Sequence, residues 1–149
     1  IANAVAAVVL IGSPSAVVDF GTATTITVVG RQRDLIGGAI LPGVWLMERA
    51  LHTGTAKLPA VDLRRPVNLP GRDTMSSIRA GIVCGTAGAV ERLVSDMERE
   101  LGFSLTLVLT GGAVDLVAPL IGRPHRVIPA LTFEGMRFIH LRVRDREDM

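Results

Sequence analysis

Residues 17–25, which read VVDFGTATT, carry the strongest local signal in this sequence. A β-branched run ends in Asp19, Gly21 supplies a turn residue, and three threonines fall within the next four positions. Gly21 would let the backbone approach a phosphate closely, and exposed amides and threonine hydroxyls are donors suited to phosphate oxygens. Asp19 would hold a cation that screens the phosphate charge. An ordinary β-hairpin with threonines on an exposed face explains the pattern equally well.

The residues around this stretch predict a three-stranded antiparallel meander. Residues 16–20, 24–29 and 35–40 are apolar or β-branched, and glycine-containing turns separate them. Before them, residues 1–10 are Ala-rich and apolar, which is consistent with a buried helix that the Gly-Ser-Pro-Ser run at 12–15 ends. The sequence therefore begins with a helix and a sheet of consecutive strands.

A second helix is predicted directly after the meander. Pro42 precedes an apolar pattern with helical spacing at residues 44–51. Residues 57–72 are rich in proline and charge, and they predict an ordered loop that is too short to separate two domains.

A long helix is predicted to begin at Asp73 or Thr74, either of which is a candidate N-cap, and to end at Leu101. Three glycines lie inside it at spacings of 4 and 3, near one face: Gly81, Gly85 and Gly88. Such a face permits close packing, either in the core or at an interface between two copies of the chain. A break between two helices is a third interpretation.

The last third of the chain alternates between strands and helices. We predict strands at residues 104–109 and 126–128, and helices at residues 111–121 and 131–141. This alternation indicates an α/β fold in a single domain that covers residues 1–149.

A second candidate site follows the strand at 104–109. Thr110, Gly111 and Gly112 come directly before a predicted helix, and glycines at a helix N-terminus leave room for a nucleotide. The run matches neither a P-loop nor a G-x-G-x-x-G fingerprint. A tight turn between a strand and a helix, without a ligand, is the alternative.

The composition excludes several classes of protein. Aromatic residues make up 3% and the net charge is +2 without a concentrated basic stripe, so we expect no nucleic-acid partner. One cysteine and three scattered histidines predict neither a disulfide nor a zinc site. No apolar run reaches the roughly 20 residues that span a membrane, so we expect a cytoplasmic protein without a membrane partner.

The two candidate sites together are typical of ATPases of the actin-like and sugar-kinase type. Nearly the whole chain resembles the C-terminal portion of type III pantothenate kinases, the Bvg accessory factor family. The matching motifs follow the family's order: residues 19–25 (DFGTATT), 37–43 (GGAILPG), 55–59 (TAKLP), 71–74 (GRDT), 81–82 (GI), 110–112 (TGG) and 131–136 (LTFEGM).

The resemblance implies an actin-like, sugar-kinase-type ATPase fold (ribonuclease H-like), of which this chain would be the C-terminal domain. It implies phosphorylation of pantothenate by ATP with Mg²⁺, the first step of coenzyme A biosynthesis, in a homodimer. Asp19 corresponds to the ligand of a monovalent cation, K⁺ or NH₄⁺, and Thr74 to a substrate contact. The positions that correspond to ATP contacts are Gly21, Thr22, Thr24, Gly111 and Gly112.

The chain also departs from the family pattern. It has no match for the family's first phosphate loop (Asp-x-Gly-Asn-Thr) or for the Gly-x-Asp-Arg segment with the catalytic Asp, which would precede Ile1. We therefore expect no catalytic residue in this chain and no activity of the chain alone, with residues 1–11 as a helix continuing from the missing half. A non-catalytic regulatory relative and another sugar-kinase-type or acyl-acceptor kinase are the alternatives.

Overall fold

A five-stranded mixed sheet forms the centre of the computed structural model, which describes the backbone of residues 1–147 and the side chains of residues 1–144. The strand order is β3-β2-β1-β4-β5, so β1 lies in the middle. β1 pairs antiparallel with β2 and parallel with β4, and β5 continues the parallel half. The strands are β1 Ser15–Phe20, β2 Ala23–Val29, β3 Leu35–Pro42, β4 Thr106–Thr110 and β5 His125–Val127.

Helices cover both faces of this sheet. They are α1 Ala2–Leu10, α2 Val44–Gly54, α3 Thr74–Leu101, α4 Val114–Val117 and α5 Leu131–Glu147. Successive residues of β1 point to opposite faces. Val18 therefore packs in the core formed with α2, α3 and α4, whereas Val17 packs in a smaller cluster with Ala6 of α1 and Leu131 of α5. Both residues of this central strand are buried, as expected for a strand covered on both sides.

The α/β prediction and the three-stranded meander are confirmed. Two details of the prediction are wrong. The helix expected at residues 111–121 is only Val114–Val117 followed by a 3₁₀ turn at Ala118–Leu120, where Pro119 interrupts the α-helical hydrogen bonding. The opening helix is buried on one face only, because Val9 is 57% and Leu10 42% exposed. Its Ala-rich pattern therefore does not reflect burial all round.

The long helix α3 is continuous over 28 residues, which excludes a break at its glycines. Asp73 is its N-cap: Asp73 Oδ1 accepts from the Ser76 N–H at 2.8 Å, and Ser76 Oγ accepts from the Asp73 N–H at 3.0 Å. The hydrogen bonds from Ser76 lower the pKa of the Asp73 carboxyl. Gly102, in the left-handed region at φ 72°, ends the helix.

The segment between α2 and α3 is an ordered loop, as predicted. Val61 and Leu63 insert into the core, and the Val61 N–H donates to Glu48 Oε1 at 2.8 Å. Arg79 of α3 is buried and donates from Nε to the Asp62 carbonyl at 3.0 Å. These contacts fix the loop against both helices. In the described part of the chain, no helix combines the length and apolar character needed to cross a membrane.

Candidate functional site

The site begins at the C-terminal end of β1, where the strand register places three polar residues side by side. Asp19 is paired with Thr25 of β2 on one side and with Thr110 of β4 on the other. Because β1 and β4 are parallel, the turns that follow them leave the sheet at the same edge. The two stretches singled out in the sequence therefore meet in space. In open α/β sheets this edge, beyond the carboxyl ends of the strands, is where ligands bind.

Gly111 brings the second turn into contact with Asp19. Its φ is 100°, and a Cβ added there would lie 2.5 Å from both Asp19 Oδ1 and the Phe20 backbone nitrogen. The Ala113 N–H donates to the Phe20 carbonyl at 3.0 Å, which fixes the turn against β1. A Cβ added at Gly21 would lie 3.6 Å from the same Asp19 Oδ1. One carboxylate oxygen thus lies between a glycine of each turn.

Gly43, which precedes α2, fixes the first turn from the other side. Its N–H donates to the Thr22 carbonyl at 3.1 Å, and the Gly21 N–H donates to the Ala23 carbonyl at 3.1 Å. A Cβ at Gly43 would clash with the carbonyl oxygens of Gly21 and Thr22. The start of α2 and the β1–β2 turn are therefore in backbone contact. The sequence contained this glycine in the GGAILPG motif, but no role for it could be read from the pattern.

The threonines of the first turn differ in accessibility. Thr22 is exposed at the turn, whereas Thr24 is 0% exposed and its Oγ1 has no hydrogen-bond partner among the described residues. Thr24 is paired with Phe20, and both face the core beneath α2 and α3. The expectation that the Thr24 hydroxyl contacts ATP does not fit this geometry, since strand alternation turns its side chain into the core. Thr22 is the hydroxyl that the turn presents.

Asn3 of α1 holds the other oxygen of the Asp19 carboxylate. Asn3 Nδ2 donates to Asp19 Oδ2 at 2.7 Å, and Thr132 Oγ1 of α5 donates to Asn3 Oδ1 at 2.7 Å. The sequence analysis missed both residues. A signal was present for one of them, because Asn3 is the single polar residue among the first 11.

The other residues predicted for the site do not all lie at the C-terminal end of β1. Gly112 is exposed beside Gly111, with open space where a Cβ would lie. Thr74 is exposed at the start of α3 and lines a separate groove of about 840 Å³ between α2 and α3, which Met47, Leu51 and Ile78 also line. No residue of the two turns lines that groove. α2 connects the two places, because it starts at the first turn and lines the groove further along.

Metal ligation at the site rests on few protein groups. Among the described residues, no group of three or more His, Cys, Asp or Glu side chains could enclose a metal ion. Asp19 Oδ1 nevertheless fits a monovalent cation: it is a carboxylate oxygen flanked by glycines rather than by side chains. Most ligands of a divalent ion such as Mg²⁺ are water molecules and substrate phosphates. Such an ion therefore needs no cage of protein side chains.

Comparison with known proteins agrees with this architecture. The family model described as type III pantothenate kinase matches residues 1–96. Type III pantothenate kinase from Moorella thermoacetica is 42% identical over 142 residues, which are 95% of this chain and 56% of that protein. The enzyme of the same name from Roseiflexus is 43% identical over 140 residues, 94% of this chain and 55% of that protein. The chain thus spans about half the length of the curated relatives it matches.

Solved structures show the fold. A Baf-family protein from Campylobacter jejuni superposes with a TM-score of 0.70 at 21% identity, over 99% of this chain and 65% of that one. Component A of (R)-2-hydroxyglutaryl-CoA dehydratase from Acidaminococcus fermentans superposes with a TM-score of 0.55 at 15% identity, over 90% and 62% of the two chains. The fold is that of the actin-like ATPases. From the family model and the identities, the chain belongs to the type III pantothenate kinase family.

Proposed function

We propose that this chain is the phosphate- and cation-binding half of an ATP-dependent pantothenate kinase. The reaction transfers the γ-phosphoryl group of ATP to the primary hydroxyl of pantothenate, which gives 4′-phosphopantothenate in the first step of coenzyme A biosynthesis. The observation that carries the proposal is the convergence of two glycine turns on Asp19 Oδ1 at one edge of the sheet. Chemistry of this kind depends chiefly on positioned phosphates and on charge stabilisation.

The chain's own residues would act on the phosphates of ATP. The exposed hydroxyl of Thr22 is a donor at the turn, and Gly21, whose own N–H is bonded to the Ala23 carbonyl, lets phosphate oxygens approach the main chain. Gly112, where a Cβ would meet nothing within 4 Å, leaves space at the second turn for the nucleoside, and Gly111 allows that turn to lie against Asp19. A K⁺ or NH₄⁺ ion held by Asp19 would supply positive charge that screens the phosphates. Mg²⁺ would arrive with the nucleotide.

Pantothenate would contact this chain through Thr74. Thr74 follows the N-cap Asp73, whose paired hydrogen bonds with Ser76 fix the first turn of α3. The hydroxyl is exposed on the rim of the α2–α3 groove and is free to accept or donate a hydrogen bond. We assign no general base to this chain, because none of its carboxylates matches the family's catalytic Asp.

We further propose that the enzyme is a cytoplasmic homodimer that uses the glycine face of α3. Gly81, Gly85 and Gly88 are exposed, and a Cβ on any of them would meet nothing within 4 Å. Packing inside the core, one of the two alternatives for these glycines, does not fit their exposure. The apolar groove between α2 and α3, which Gly81 also lines, adds apolar surface to the same side. A second copy of the chain would bury this surface.

The test is carried out on the full-length polypeptide that contains this chain. We expect it to convert ATP and pantothenate to phosphopantothenate in the presence of Mg²⁺ and K⁺, and to lose most activity when choline replaces K⁺. Asp19→Asn should raise the K⁺ concentration that gives half-maximal activity by about tenfold or more, since a charged ligand is lost. Glu100→Gln, an exposed carboxylate at the end of α3, is the control and should behave as wild type. A polypeptide that neither binds an ATP analogue nor phosphorylates pantothenate would exclude the proposed function.

A further inference from the structure

Two consecutive hydrogen bonds connect the N-terminal turn of α5 to the end of β1. Thr132 Oγ1 donates to Asn3 Oδ1, and Asn3 Nδ2 donates to Asp19 Oδ2, each at 2.7 Å. All three side chains are partly buried, so water competes only partly for these bonds. Thr132 and Asn3 are separated by 129 positions in the chain, so that the connection depends on the folded structure.

The chemistry of the three groups gives this connection a direction. An asparagine side chain donates only from Nδ2 and accepts only at Oδ1, and an ionised carboxylate only accepts. The carboxylate therefore selects the orientation of the amide in which Nδ2 faces Asp19, and the Thr132 hydroxyl, which can donate or accept, holds the amide in place by donating to Oδ1. The opposite orientation would place the amide oxygen of Asn3 against a carboxylate oxygen, and no proton would lie between them.

The two oxygens of the Asp19 carboxylate therefore have different surroundings. Oδ2 is occupied by Asn3, whereas Oδ1 lies between Gly111 and Gly21 at the point where the two turns meet. Partial rotation of the carboxylate about its Cβ–Cγ bond would turn both oxygens away from these positions, and the Asn3 bond opposes that rotation. A bond of this type to a charged acceptor is stronger than one between two neutral groups.

The two bonds are not needed to dock the helices. α1 and α5 are held on the sheet by a buried apolar cluster that includes Ala7, Val108 and Leu131. The two helices also approach closely at Gly135, where an added Cβ would clash with the Ala2 carbonyl. Loss of the Thr132 hydroxyl would therefore leave the helix packing in place and remove only the hydrogen bond that restrains the Asn3 amide from the α5 side.

We propose that Asn3 and Thr132 are positioning residues that aim Asp19 Oδ1 at the bound monovalent cation. The proposal rests on the proposed function, in which Asp19 binds K⁺ or NH₄⁺. Asn3 acts directly on the carboxylate, and Thr132 acts through Asn3. Both residues contribute to cation affinity at the β1–β2 turn, and neither contacts ATP or pantothenate directly.

The test compares Thr132→Val, which removes the hydroxyl at nearly constant volume, with Thr132→Ser, which keeps it. The readout is the K⁺ concentration that gives half-maximal phosphopantothenate formation in the full-length polypeptide. We expect an increase of about tenfold for Asn3→Ala, of roughly threefold for Thr132→Val, and less than about twofold for Thr132→Ser. At saturating K⁺, kcat should return close to wild type in all three. Far-UV circular dichroism and the midpoint of thermal unfolding check that each variant is folded.

Other outcomes separate this proposal from the proposed function. If the wild type makes phosphopantothenate but Thr132→Val and Thr132→Ser have the same K⁺ requirement, the positioning role is wrong and the kinase activity stands. If the wild type makes none, binding of Tl⁺, a K⁺ probe observed by ²⁰⁵Tl resonance, is measured instead. The same order of weakening among the variants then supports positioning without kinase activity, and equal affinities overturn it.

A variant that fails to fold does not prevent a decision. The side-chain amide signals of Asn3 in the ¹⁵N spectrum of the wild-type polypeptide are followed while K⁺ replaces choline. Shifts of these signals support the coupling of Asn3 to a cation-bound Asp19. Signals that stay unchanged while K⁺ binds overturn it.

Discussion

Gly111 lies directly against Asp19: a Cβ at position 111 would be 2.5 Å from Asp19 Oδ1, and the glycine has a φ of 100°. The turn after β4 can therefore reach the carboxylate at the end of β1 only as long as position 111 has no side chain. Both the φ angle and the close approach require glycine here.

Gly111→Ala should lower the free energy of unfolding by at least about 2 kcal/mol, because the left-handed backbone and the contact with Asp19 are both strained by a methyl group. It should also abolish binding of an ATP analogue. Gly112→Ala is the matched control, since a Cβ there would meet nothing within 4 Å. Urea unfolding and calorimetric nucleotide titration of both variants check this. Equal effects of the two substitutions would contradict the assignment of the contact.

Gly43→Ala should displace the β1–β2 turn, because its methyl group would clash with the carbonyl oxygens of Gly21 and Thr22. We expect ATP-analogue affinity to fall by about tenfold or more, while α2 itself still forms. Gly54→Ala, at the other end of α2 with open space around its Cβ, should be neutral or slightly stabilising. Nucleotide affinity combined with circular dichroism distinguishes a moved turn from a lost helix. Wild-type affinity in Gly43→Ala would show that the turn does not need this contact.

Glu98 provides a pH-dependent contribution to stability. It accepts from Arg123 Nη2 and from the Leu105 N–H, both at 2.7 Å, and the Glu98 and Arg123 side chains are 19% and 22% exposed. Burial raises the pKa of the Glu98 carboxyl, but the hydrogen bonds from Arg123 and Leu105 outweigh it, so the net shift is downward. The unfolded chain therefore binds the proton more readily than the folded one.

The stabilisation from Glu98 should be complete above the ordinary glutamate pKa of about 4.3 and should be lost as the pH falls through the lower folded value. Glu98→Gln should cost about 2 kcal/mol at neutral pH, and the cost should shrink as the pH falls below about 4.3 toward about pH 3. Urea unfolding of wild type and variant at both pH values gives the comparison, with Glu100→Gln as an exposed control in the same helix. A pH-independent difference between wild type and Glu98→Gln would exclude this explanation.

Gly85→Arg tests the proposed dimer face. Because Gly85 is exposed with free space around it, the arginine should leave the fold of one chain intact but prevent close approach of a second. We expect sedimentation of the full-length polypeptide to change from dimer to monomer. Glu100→Arg, at the end of the same helix, should remain dimeric. A dimeric Gly85→Arg variant would place the interface elsewhere.

The parts of the site that the sequence predicts are those encoded within a few neighbouring residues. Asp19, Gly21 and Gly111, which the structure brings together, stand out in the sequence because a strand, a turn and a glycine follow one another along the chain. Asn3 does not stand out in this way, because the orientation of α1 about its own axis is set by packing with α5, far away in sequence. The same limit applies to Thr24: alternation along β2 is evident, but which face is buried depends on the helices that cover it.

The glycines of α3 show a second limit. A row of small residues permits a neighbour to come close, and this holds equally for a core and for an interface between chains. The position of α3 in the fold, with Gly81, Gly85 and Gly88 turned outward, argues against the core, and the interface stays a prediction. In contrast, the N-cap at Asp73 was predictable, because capping is decided by residues three positions apart.

The packing of α1 against α5 has a consequence for synthesis on the ribosome. α1 is synthesised before every strand of the sheet, whereas α5, which covers it, follows all five strands. The contacts between α1 and α5 can therefore form only after translation has passed residue 131. Until then the apolar side of α1 lacks this cover, and long-range contacts of this kind form slowly. The time for which the apolar side of α1 stays uncovered in the nascent chain is therefore set by the rate of elongation.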